Sequence, residues 1–117
     1  MGNIEIYDDS EIISLMKNLN QNNVLPENGL QRNSTYYTLV SYINHTIALY
    51  IGGSYDNVAL FVYRADKEIE ILITKYHFKD SYLQTCRDYL FKLSEYLLER
   101  NLLSNKASEL IPNKYRS

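Results

Sequence analysis

Near the start of the chain, Ile12, Leu15, Met16 and Leu19 fall at the i, i+3, i+4 and i+7 positions of a helix, giving one apolar stripe. Asp8 is placed to cap that helix, with Glu11 as its capping-box partner and Tyr7 and Ile12 at the staple positions. Asp9 and Glu11 lie in the first turn, where the helix dipole favours carboxylates. Residues 21–34 then lose all periodicity. They are rich in Asn and contain Pro26 and the Asn28-Gly29 turn pair, so they read as a long loop.

Residues 35–76 predict four strands. "TYYTLVSYI" alternates, with Tyr37, Leu39, Ser41 and Ile43 on one face and Tyr36, Thr38, Val40 and Tyr42 on the other. Asn44-His45 then reads as a tight turn into "TIALYI", and Ile47, Leu49 and Ile51 share a face. After "GGSYDN" come "VALFVY", the connection "RADKE", and "IEILITKY" with Ile69, Ile71 and Ile73 inward. β-branched and aromatic residues dominate and the connections are short, so the expectation is an antiparallel meander. Three of these strands are apolar on both faces, which implies a sheet covered on both sides. The tyrosine-bearing face is either covered by the protein's own helices or is an interface.

Residues 80–103 predict a long helix. Asp80 or Ser81 can cap it, and Leu83, Cys86, Leu90, Leu93 and Leu97 line one face. Tyr82, Tyr89 and Tyr96 flank that stripe at seven-residue steps. A last helical turn in "SNKASELI" ends before Pro112, and residues 112–117 read as a frayed tail. The expected architecture is therefore one α+β domain over residues 1–117. A four-stranded antiparallel β-meander would be packed by an N-terminal amphipathic helix and a long C-terminal helix.

Composition narrows the function classes. At 117 residues with 45% hydrophobic residues, the chain can bury a core without metals or disulfides. The lone cysteine, Cys86, cannot form an internal bridge. Neither a secretory signal nor a membrane-length apolar run is visible, and the expected location is the cytoplasm. The sequons at Asn33 and Asn44 then read as chance matches. A net charge of −2 and a pI near 5.6 argue against binding nucleic acid by phosphate neutralisation.

No motif points to catalysis, a cofactor or a metal. A phosphate loop needs strand, glycines and helix in that order, whereas Gly52 and Gly53 are expected between two strands. His45, His77 and Cys86 match no metal-ligand spacing, and Cys86 sits on an apolar stripe. A small enzyme using Cys86 with either histidine is the remaining catalytic alternative. The acidic residues instead suggest a surface that steers a basic partner. Tyr makes up 12 of the residues, and Tyr brings large rigid contact area to interfaces.

A small, acidic, motif-poor domain of α-ββββ-α order, heavy in Tyr, Ile, Asn and Lys (residues that share A/T-rich codons), resembles the immunity proteins of bacterial contact-dependent growth inhibition systems. The resemblance lies in general character and carries over no residue. It implies a non-catalytic protein that binds a cognate toxin domain, often a nuclease, and blocks its active site or substrate access. Asp8, Asp9, Glu11, Tyr55, Asp56, Asp66 and Glu68 are then the expected contacts with a basic toxin surface. Secretion chaperones of the type III class are similar in size, acidity and helix–meander–helix order, and would make the chain a homodimer.

Overall fold

A computed structural model describes residues 9–21, 33–79 and 81–116. Among the described residues five helices follow one another: α1 (Ser10–Gln21), α2 (Ser34–Ile51), α3 (Tyr55–Thr74), α4 (Ser81–Glu99) and the short α5 (Asn105–Ser108). A 3-10 turn at Asn113–Tyr115 closes the chain. α2 and α3 form an antiparallel helical hairpin, α1 lies on α4, and α4 lies on α3. α5 also rests on α3, and the closing turn rests on α4. The assembly is elongated, 56 × 28 × 23 Å.

The β-meander expected over residues 35–76 is not formed; among the described residues there is no strand. With it go the α+β class and the helix–meander–helix order shared with secretion chaperones. Burial shows why. On α2 the buried positions are Leu39, Ile43, Thr46, Ile47 and Tyr50, and on α3 they are Val58, Ala59, Val62, Ala65, Asp66, Ile69 and Leu72. These steps of three and four are a helical period. A period of two would bury Ile51 and Ile71, which are 73% and 37% exposed. Asn44-His45 and Arg64–Glu68, read as turns, lie inside helices and contain neither Gly nor Pro. β-branched and aromatic content pointed to strands because such preference reflects a half-buried surface, which a packed helix also supplies.

Gly52-Gly53 does end an element, but it joins two helices. The Ser54 N–H donates to the Leu49 carbonyl at 2.9 Å and the Gly53 N–H to the Tyr50 carbonyl at 3.1 Å. That is the Schellman pattern, and Gly53 takes the left-handed φ of 77° it demands. Asn33 starts α2 by accepting the Thr35 N–H on its side-chain oxygen at 2.8 Å. α4 stops the same way as α2: Leu102 N–H donates to the Leu97 carbonyl, and Asn101 has φ 54°.

The two flanking helices follow the sequence pattern. Ile12, Met16 and Leu19 of α1 are buried, as are Leu83, Cys86, Leu90, Leu93 and Leu97 of α4. Tyr89 is fully buried as well. Its hydroxyl lies 2.6 Å from Thr46 Oγ1, which donates to the Ile43 carbonyl at 2.7 Å. Thr46 has one proton to give, so Tyr89 is the donor to Thr46. The tail expected to fray is instead held: Tyr115 is 3% exposed. The expected cap at Asp8 and staple at Tyr7, and the alternative cap at Asp80, lie outside the described residues.

Circular dichroism of the purified protein is expected to show a helical spectrum; a sheet-dominated spectrum would contradict the fold. Leu93→Ala, at a site with 0% exposure, is expected to lower unfolding free energy by roughly 2–5 kcal/mol in a urea titration.

Candidate functional site

Four of the seven expected contact residues are occupied within the fold. Asp9 accepts the Tyr50 hydroxyl at 2.7 Å, joining the start of α1 to the end of α2. Burial and the adjacent Asp9 carboxylate hold the Tyr50 phenol well above its usual pKa, so it remains a neutral donor. Glu11 pairs with Lys92 at 3.1 Å. Asp56 accepts the Ser104 N–H at 2.9 Å, which ties the start of α3 to the entry of α5. Asp66, expected in the connection "RADKE", lies inside α3, only 7% exposed, and takes the Tyr115 hydroxyl at 2.7 Å and Lys114 at 3.2 Å.

The other three are placed differently. Tyr55, in the connection expected between two strands, is half-buried with its ring 6.0 Å from Tyr50. Glu68 lies half-buried on α3, and desolvation raises its carboxyl pKa. Asp8 is outside the described residues. The fold therefore gathers Asp9, Tyr55 and Asp56 near the α2–α3 turn. Asp66 and Glu68 lie ten and twelve residues past Asp56 on α3, about 15 Å or more along its axis. Among the described residues these carboxylates form no continuous face.

A polar network fastens the C-terminal segment. Glu70, one turn beyond Asp66, takes Arg87 at 2.5 Å and Lys114 at 2.6 Å. Hydrogen bonding to Lys114, aided by the charge on Arg87, keeps the Glu70 carboxyl below its ordinary pKa despite some desolvation. Burial works against the Lys114 charge, but the Glu70 and Asp66 carboxylates prevail and hold its ammonium above the ordinary value. An open cleft of about 450 Å³ runs beside the network, lined by Gln84, Asp88 and Phe91 among others. Its cations already face Glu70, so the arrangement is suited to holding the tail.

The surface feature that composition did not reveal lies on the outer side of the α2–α3 hairpin. Phe61 of α3 is its centre. His45 of α2 stacks on Phe61 at 4.9 Å, and Tyr42 packs against it at 5.6 Å. The Arg64 guanidinium lies over the Phe61 ring at 5.2 Å, and Lys67 lies over Tyr63 at 4.6 Å. Helical geometry assembles the group: Phe61 and Arg64 are three apart on α3, and Tyr42 and His45 three apart on α2. His45, Arg64 and Lys67 are exposed while Tyr42, Phe61 and Tyr63 are half-buried. The result is a fixed aromatic platform rimmed by cations. Reading Asn44-His45 as a turn and "RADKE" as a connection hid it, because both breaks cut the helices that align these residues.

Among the described residues, no three His, Cys, Asp or Glu side chains gather as metal ligands, and no helix is long and apolar enough to cross a membrane. Cys86 is buried in the core. No family model, curated protein or solved structure matches the chain.

The carboxylates of the tail network make unequal contributions. Asp66→Ala strips a buried hydroxyl of its acceptor and is expected to cost about 1–3 kcal/mol. Glu70→Gln touches a half-exposed pair and is expected to cost under ~1 kcal/mol. Because the folded Glu70 pKa is depressed, its contribution is present above the unfolded carboxylate pKa and lost as pH falls through the folded one. Urea titrations at neutral and acidic pH should therefore show wild type and Glu70→Gln converging in acid.

Proposed function

We propose that this chain is a binding protein of the toxin-immunity kind, which docks on a cognate toxin domain through the Phe61 platform and blocks it without chemistry. The observation that carries this reading is the pre-formed cluster of Phe61, His45, Tyr42 and Arg64 on one outward face. Aromatic residues and Arg dominate binding hot spots because they offer large rigid area with a polar or charged edge. Here their rings already constrain one another, so less side-chain entropy is lost on docking. The cations at the rim favour a partner patch that carries carboxylates. That departs from the basic partner surface expected from the acidic residues: Asp9 and Asp66 are taken up by Tyr50, Tyr115 and Lys114, while Glu11 and Asp56 stay exposed beside Lys92 and Ser104.

The test is co-expression with a candidate toxin domain, scored by growth rescue and by co-purification. Wild-type protein should rescue growth and co-purify. Phe61→Ala is expected to weaken binding by about 2 kcal/mol, roughly 30-fold, and Arg64→Glu to weaken it further by reversing the rim charge. Failure of the wild type to rescue or co-purify would overturn the reading, as would full activity of Phe61→Ala.

A further inference from the structure

The outward side of α2 holds a second pattern, distinct from the platform on its flank. Ser34, Tyr37, Ser41, Asn44, Ala48 and Ile51 are all exposed and succeed one another at steps of three, four, three, four and three. That alternation keeps one seam of a helix facing a neighbour. No position of this 18-residue helix carries Asp, Glu, Lys or Arg, although 22% of the chain is charged. Two of the largest exposed apolar side chains in the described residues stand at its ends, Tyr37 at 60% and Ile51 at 73% exposure. The Tyr37 ring is braced edge-on by Tyr36 at 5.6 Å, so it is a rigid feature.

We propose that this seam is the twofold interface of a homodimer, with α2 lying antiparallel against α2 of a second copy and the axis passing Asn44. The pattern complements itself about that point. Tyr37 lies seven residues before Asn44 and Ile51 seven after, so in the dimer the two large apolar ends cover each other. Ser41 and Ala48 meet between them, and their small size lets the helix axes approach. Asn44 meets its own counterpart. A side-chain amide both donates and accepts, so two of them can pair and fix the register.

A seam without charge suffers no like-charge repulsion when laid on itself, and the symmetry of its pattern points to a second copy as the occupant. A twofold contact requires each residue to accept its mirror position, and this sequence of large, small, polar, small, large does so. α2 spans about 27 Å, so one helix pair sits near or below the ~1,200 Å² of small stable interfaces. An interface of that size is of the weak, transient class, so the dimer is expected to be reversible.

Sedimentation velocity over a concentration series, on the protein alone, tests this without any toxin. The wild type should shift from monomer to dimer as concentration rises. Ala48→Arg, at an exposed position, should remain monomeric throughout with an unchanged dichroism spectrum and melting temperature. Register is read by cysteine cross-linking under mild oxidation, since the native Cys86 is buried. Asn44→Cys should link to itself readily. Ala48→Cys should link at least tenfold more slowly, because its two copies would be offset by eight residues, about 12 Å. A wild type that stays monomeric would overturn the proposal, as would a dimer indifferent to Ala48→Arg. Equal cross-linking at both positions would overturn the Asn44 axis.

Discussion

The structure depends on the burial of α3 from several sides at once. α2, α4 and α5 all lie against it, and Val58, Ala59, Val62, Ala65, Ile69 and Leu72 have no exposed surface. Ala59 and Ala65 keep that surface low, so neighbouring helices can come close. A helix covered over so wide an arc cannot be held by one neighbour alone. α2, α4 and α5 together complete the environment of α3, and α1 lies on α4. The hydrophobic effect supplies the drive, and dense packing sets where each neighbour must sit.

Polar groups then fix the arrangement that burial permits. The hydrogen bond from Tyr89 to Thr46 joins α4 to α2 inside the core, where an unmet hydroxyl would be costly. Tyr50 and Asp9 bring α1 to the end of α2. Asp66 and Glu70 do the same for the tail, drawing Tyr115 and Lys114 onto α3. Desolvation keeps the Tyr50, Tyr89 and Tyr115 phenols neutral over any ordinary pH, so these contacts persist as donors. Asp9, Asp66 and Glu70 are thereby drawn into holding the fold, while Phe61, Tyr63, Arg64 and Lys67 put aromatic and cationic groups on the outside of the hairpin.

That division shapes both proposed surfaces. The platform on the flank of the hairpin has fixed rings and exposed cations, suited to a partner of another kind. The outward seam of α2 has no charge and a pattern symmetric about Asn44, suited to itself. The two share α2 but not side chains.

The sequence alone determined α1 and α4. Each has one apolar stripe set against a polar remainder, and that contrast makes the 3.6-residue period visible before any neighbour is known. The seven-residue steps of Tyr82, Tyr89 and Tyr96 belong to the same signal. The break at Gly52-Gly53 was also legible, because few residues other than glycine accept the conformation found at Gly53. α2 and α3 were not legible as helices. Their apolar residues occupy so many positions that an alternating and a helical period fit equally well, and periodicity alone cannot separate a buried strand from a buried helix. Tertiary structure decided between them by leaving Ile51 and Ile71 in solvent while burying Thr46 and Asp66. It also decided the roles of the acidic residues. Asp66 finds Tyr115 across 49 positions and Asp56 finds Ser104 across 48, and no local pattern encodes partners so far apart.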